Sequence, residues 1–191
     1  MKKRILYIVG GIAILLVIAY YSAPFIGTYM AARDSYEAWQ EVEQNESVQA
    51  RSATKMFPEP LGYVSDFEKV FTSIQTEKLE KRLANYEQET TREIAVVTIA
   101  SLAPYEDIND YAKDLGNEWG VGKADSDNGL LIVLCKELRM VRISTGYGTE
   151  NVLTDSICQA VIDKTMLPYF REGNYYDGIE VALDELLQHW K

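Results

Sequence analysis

The chain has 191 residues, of which 47% are hydrophobic, with two cysteines, one histidine and a formal net charge of −10. That length carries one ordinary domain plus an attachment segment, and so acidic a surface repels nucleic acid, which sets that partner class aside. Two cysteines and a lone His189 cannot assemble a standard zinc site.

Lys2, Lys3 and Arg4 precede a run without charge from Ile5 to Ala32. Pro24 ends or kinks the helix, leaving Ile5–Ala23 as the apolar span, close to the roughly 20 residues that cross hydrocarbon. Basic residues before it and Asp34, Glu37, Glu41 and Glu43 after it place the N-terminus in the cytoplasm and the rest outside it. The apolar run is long for a cleaved signal peptide, and Tyr21-Ser22-Ala23 lacks the small first residue of a cleavage site. Residues 1–28 are therefore expected to anchor the chain in the lipid bilayer as a single-pass segment.

Residues 29–61 follow as a juxtamembrane region. Tyr36, Trp39 and Val42 stand at helical spacing in a polar, helix-prone stretch from Tyr29 to Ser52, which serves as a spacer or as a docking surface for a membrane-protein partner. Pro58 and Pro60 stiffen Phe57–Leu61 into an extended linker. The globular domain is expected over 62–191.

Within it, Thr76 is the expected cap of a helix carrying Leu79, Leu83 and Tyr86 on one face. Glu93–Ala100 is β-branched and apolar, hence a buried strand. After a turn at Pro104, Asp107 caps a helix whose stripe is Ile108, Tyr111, Ala112, Leu115 and Trp119, broken by Gly120 and Gly122. Leu130–Cys135 and Met140–Thr145 flank four polar residues, so they are antiparallel neighbours. Thr154 or Asp155 caps a helix through Ile157 and Val161, with Pro168 in its last turn, and Gly173-Asn174 restarts the chain into a helix with Ile179, Ala182, Leu183, Leu186 and Trp190. Several apolar strands need cover on both faces, which gives a three-layer α/β/α sandwich with a mixed central sheet. Cys135 lies in a strand and Cys158 in a helix, so both read as buried thiols.

Two polar loops bracket the hairpin: Ala124-Asp125-Ser126-Asp127-Asn128-Gly129 before it and Thr145-Gly146-Tyr147-Gly148-Thr149-Glu150-Asn151 after it. Loop tips on rigid strands are where cations and polar substrates bind. The first is not an EF-hand, since Leu130 and Lys136 stand where glycine and glutamate are required. Gly146-x-Gly148 is no dinucleotide fingerprint, and no Ser/His/Asp arrangement exists around His189. What remains is a set of loop-end carboxylates, Asp66, Asp125, Asp127, Glu150 and Asp155, suited to a hard cation. Asp155 also serves as an ordinary helix-start acid, and Asn128-Gly129 as ordinary turn chemistry.

From Tyr63 to Trp190 the chain resembles the TPM-domain family of thylakoid-lumen phosphatase-like proteins, photosystem II repair proteins and acetylcholine receptor modulators. The resemblance rests on Val64-x-Asp66, Trp119-Gly120-Val121-Gly122, Asp127-Asn128-Gly129-Leu130-Leu131-Ile132, Arg142-Ile143-Ser144-Thr145-Gly146-Tyr147-Gly148-Thr149-Glu150, Leu153-Thr154-Asp155 and Pro168-x-Phe170-x-x-Gly173-x-Tyr175-x-x-Gly178. It implies an α/β/α sandwich facing away from the cytoplasm, calcium bound through acidic loops, and a role as an assembly or repair factor for a membrane complex. It also implies an alternative, a metal-dependent phosphomonoesterase of acid pH. Carried over by position, Asp66, Asp125, Asp127 and Glu150 would be the metal residues, the three aspartates also the candidates for catalysis. Asn128, Gly129, Gly146, Tyr147 and Gly148 would shape the loops.

Overall fold

Four segments pair into one sheet, the two central ones alternating between two apolar layers, in a computed structural model that describes residues 56–191. β1 (Val64–Asp66), β2 (Glu93–Thr98), β3 (Gly129–Cys135) and β4 (Met140–Thr145) lie side by side in chain order. The first three run parallel and β4 returns antiparallel, so the sheet is mixed. α1 (Ser73–Thr90) and α2 (Ile108–Trp119) connect the parallel strands. After β4 come α3 (Asp155–Val161), a π-helical turn (Ile162–Met166), α4 (Leu167–Arg171) and α5 (Tyr175–His189).

The strand period of two divides the core. Val64, Ile94, Val96, Leu130, Ile132 and Ile143 face one side, where Leu79 and Leu83 of α1, Met166, and Ile179, Leu183 and Leu186 of α5 cover them. Ala95, Val97, Leu131 and Val133 face the other, against Ile108, Tyr111, Ala112 and Leu115 of α2. Helices thus lie on both faces, the α/β architecture expected. The crossovers through α1 and α2 step in the same direction across the sheet but lie on opposite faces, so they are of opposite hand. That is a departure from the usual right-handed pair. Cys135 and Cys158 are free and buried on opposite faces, as expected.

Three local expectations change. β1 is a strand, short but paired in register with Val96–Thr98. The cap of α1 is Thr72, not Thr76: the Thr72 hydroxyl accepts from the Gln75 amide, and the Gln75 side chain accepts from the Thr72 amide, a capping box. The helix expected to run into Pro168 widens to a π turn over Ile162–Met166, just before that proline. Proline lacks the N–H that continues an α-helical ladder and crowds the carbonyl four residues back.

Phe57 is buried, stacked with Tyr105 at 5.8 Å and edge-on to Tyr111 at 5.3 Å. The Trp119 indole N–H donates to the Pro58 carbonyl at 2.9 Å. The start of the proline stretch is thereby fixed to the α2 side of the core. The expected membrane span Ile5–Ala23 and the juxtamembrane helix lie outside the described residues. Among the described residues no helix is long and apolar enough to cross a membrane.

The register defines two rims. Gly129 aligns with Glu93, and Thr145 with Leu130, at one. Asp66 aligns with Thr98, and Thr98 with Leu134, at the other. Five strand steps of about 3.3 Å separate them by about 16 Å.

Candidate functional site: an acidic cleft at one rim

The loops on either side of the hairpin interlock through their backbones. The Gly148 amide donates to the Asp127 carbonyl at 3.1 Å, and the Gly146 amide to the Gly129 carbonyl at 3.0 Å. The approach leaves no room for side chains. A Cβ on Gly146 would stand 2.2 Å from the Asp127 carbonyl oxygen, one on Gly148 1.9 Å from that of Ser126, and one on Gly129 2.0 Å from that of Val121. Asn128 ties the first loop at both ends. Its Oδ1 accepts from the Lys123 amide and its Nδ2 donates to the Thr91 carbonyl, both at 2.9 Å. The loop-shaping assignments to Asn128, Gly129, Gly146 and Gly148 therefore have a direct steric and hydrogen-bonding cause.

Beside this interlock a cleft of about 490 Å³ opens between α2 and the edge strand β4. Asp127, Gly146, Tyr147 and Glu150 from the loops line it. So do Asn109, Asp110, Lys113 and Asn117 of α2, Arg142 and Ser144 of β4, and Asp155 of α3. Ile143 turns into the core, so its neighbours Arg142 and Ser144 lie on the opposite face of the edge strand. Arg142 is held by Asp155 at 2.8 Å. The cleft thus presents four carboxylates against two cations.

The expected residues fall into three groups. Asp127, Glu150 and Asp155 come together on the cleft wall, with Tyr147 beside them, exposed. Asp125 is exposed at the loop tip, outside that wall, and its carboxylate accepts from the Ser126 hydroxyl at 3.3 Å. Asp66 is at the other rim, about 16 Å away by strand rise. Its carboxylate accepts from the Val70 and Phe71 amides, each at 2.8 Å, and from the Thr98 hydroxyl at 2.6 Å. Convergence of Asp66 with Asp127 and Glu150 does not occur, because β1 is parallel to β2 and β3. The acid that ends β1 lies opposite the acids that begin β3.

Sequence reading missed Asp110, Lys113 and Arg142. The signal was available: Asn109, Lys113, Gly116 and Asn117 form a polar stripe at helical spacing opposite the apolar one. Arg142 and Ser144 alternate with the buried Ile143.

The first loop is also tied to α1. Lys123 pairs with Glu87, which in turn accepts from the Tyr63 hydroxyl. The bond to Lys123, then that to Tyr63, holds the Glu87 carboxyl below its ordinary range. The bond to Glu87, followed by burial, pushes the Tyr63 phenol up to about 12.

Oxygen donors of this kind match a hard cation such as calcium. Among the described residues, however, no group of three or more His, Cys, Asp or Glu side chains stands close enough to hold a metal ion. The donor chemistry fits and a preformed cage does not.

Comparison with known families matches the TPM domain over residues 64–189. Among solved structures, the N-terminal domain of a protein from P. gingivalis is similar at 35% identity and a TM-score of 0.61, covering 66% of this chain and 80% of that one. The BA42 protein from Bizionia argentinensis (20% identity, TM-score 0.55, 64% and 83% covered) shares the fold. So does the N-terminal domain of the cg2496 protein from Corynebacterium glutamicum (19%, 0.51, 69% and 82%). No curated protein matches the chain.

Proposed function

The chain belongs to the TPM domain family, and from that premise we propose that it is a membrane-tethered, extracytoplasmic accessory module whose acidic cleft takes up calcium in support of a membrane complex. The observation that carries this reading is the gathering of Asp110, Asp127, Glu150 and Asp155, from four separate segments, around one opening. Calcium tolerates six to eight oxygen ligands in loose geometry, and affinity falls as the site becomes less rigid. A cleft without a preformed cage therefore corresponds to weak binding, a Kd of about 1 mM, in the range of extracellular modules. Asp127 and Glu150 sit on exposed loops and supply the movable ligands; Asp155 is shared with Arg142. The apolar N-terminal run provides the tether.

Amide NMR of the full chain under calcium titration tests it. Shifts at residues 125–129 and 146–150, together with Asp110 and Asp155 and with the rest of the chain unmoved, lost in the Asp127→Asn/Glu150→Gln variant, are the expected result. A spectrum unmoved at 10-fold the expected Kd overturns the calcium reading.

The phosphomonoesterase alternative has less support. Of its three acidic candidates only Asp127 lines the cleft, and among the described residues no nucleophile is paired with a base there. Lys113 and Arg142 are the features in its favour, since both attract phosphate. Turnover of an aryl phosphate that falls in Asp125→Asn/Asp127→Asn with the fold intact would revive it; an undiminished rate excludes those acids from catalysis.

A further inference from the structure

The rim opposite the acidic cleft has a second cavity, of about 530 Å³, between the β3–β4 turn and the junction of α4 with α5. Its walls are apolar, with Leu134, Val141, Leu167 and Phe170, and its polar groups include Arg139 and Arg171.

The described residues include five arginines. Three are engaged: Arg82 with Glu180 and Asp184, Arg92 with the Trp190 carbonyl, and Arg142 with Asp155. The guanidinium groups of Arg139 and Arg171 make no ion pair or hydrogen bond among the described residues, and both residues line this one cavity. A third cation stands beside it, the Lys136 ammonium, 5.8 Å from the centroid of the Tyr175 ring on the cavity wall. Glu68, from the segment after β1, caps the turn by accepting from the Lys136 and Glu137 amides at 2.8 and 3.3 Å. In a chain of net charge −10, the cavity wall carries two arginines and no carboxylate.

The backbone adds a second argument. Arg139 closes the turn with φ of 55°, a left-handed conformation that glycine or asparagine adopts far more readily. The turn itself calls for the left-handed backbone, the Arg139 amide donating to the Lys136 carbonyl at 3.1 Å, but not for an arginine side chain. The arginine side chain it carries lines the cavity, and strained positions occur at functional sites.

We propose that this cavity binds a small amphiphilic oxyanion: a phosphate, phosphonate or carboxylate group carried on an apolar or aromatic body. Guanidinium groups bind such oxyanions through paired N–H donors, and the apolar wall accepts the remainder of the ligand. The volume is that of a small-ligand pocket. Selectivity lies in the combination, since neither the anion nor the hydrocarbon alone fills both halves.

The test uses the full chain, isotopically labelled, in the presence of a calcium chelator, so that it stands apart from the acidic cleft. Phenylphosphonate, which phosphatases do not cleave, is titrated beside inorganic phosphate and benzyl alcohol. Saturable shifts at Arg139, Arg171 and Tyr175 are expected with phenylphosphonate, with the two half-ligands at least tenfold weaker. Arg139→Gln/Arg171→Gln should weaken phenylphosphonate at least tenfold. Arg139→Gly, which relaxes the turn and so keeps the fold, should weaken it severalfold. Absence of saturable shifts, or binding undiminished in either variant, overturns the proposal. Inorganic phosphate binding as tightly as phenylphosphonate overturns its amphiphilic part.

Discussion

Asp66 and Asp127 are the same residue type, one ending β1 and the other in the loop just before β3, and the two rims use them differently. At one rim Asp66 gives its carboxylate to two backbone amides and the Thr98 hydroxyl, holding the turn that leads from β1 into α1. At the other, Asp127 uses its backbone to join the two loops while its exposed carboxylate bonds nothing among the described residues. The first acid is consumed by architecture. The second has no such bond. A carboxylate's hydrogen-bond inventory, more than its presence in a loop, tells which acids this fold already uses for its own architecture.

The contrast breaks most visibly at Asp66. Replacing it with alanine leaves two amides and a buried-side hydroxyl without their charged acceptor. Hydrogen bonds to charged groups each contribute about 1.5–3 kcal/mol, and losses within one network are not additive, so Asp66→Ala should lower unfolding free energy by about 3 kcal/mol in a urea titration. A loss below about 1 kcal/mol would mean that the turn holds without it. Next in size is Gly148→Ala. Its Cβ would meet the Ser126 carbonyl oxygen at 1.9 Å, and forcing such overpacking costs about 1–3 kcal/mol. The damage should register as amide shifts at both loops of the cleft and leave the Asp66 rim unchanged.

Much of this division could be read from the chain, and the part that could not has a specific cause. β2 and β3 announce themselves by apolar runs, β4 by alternation around Ile143, and α2 and α5 by their stripes. The cleft's Asp127 and Glu150 follow from a hairpin flanked by two polar loops. β1 is only three residues long and gives no periodicity to recognise. Without it, nothing shows that Asp66 ends a parallel strand, so nothing shows that it belongs to the opposite rim. The α1 cap was legible as Thr72-Ser73-Ile74-Gln75, but Thr76 has the same chemistry one turn later; in the structure its hydroxyl merely turns back to the Thr72 carbonyl. The π turn was not read because a proline inside a helix can end it, kink it or widen the turn before it, and the sequence does not choose among these.

A smaller effect separates the cleft rim from its tether to α1. Glu87 has a folded pKa below its ordinary 4.5 because of Lys123 and Tyr63. Its contribution is therefore complete above that value and disappears as pH falls through the lower folded one. Between pH 6 and 2, the stability difference between the natural chain and Glu87→Gln should shrink toward zero, with the change beginning near pH 4.5. A difference that stays constant across that window would show that the Lys123 pairing contributes nothing. Tyr63, pushed up to about 12, stays protonated throughout.

The smallest change is expected at Asp127 itself, and it bears most directly on the contrast. Asp127 has φ of 44°, a region in which asparagine is also well tolerated. Asp127→Asn keeps the backbone bonds that join the loops, removes no side-chain bond, and takes one negative charge from a cleft with four carboxylates and two cations. Its effect on unfolding free energy should stay within about 0.5 kcal/mol in either direction. Measured beside Asp66→Ala in the same urea titration, it turns the comparison into a ratio. Two aspartates with near-equal costs would mean that both rims depend on their acids for folding, and Asp127 would lose its standing as a group free to meet a ligand.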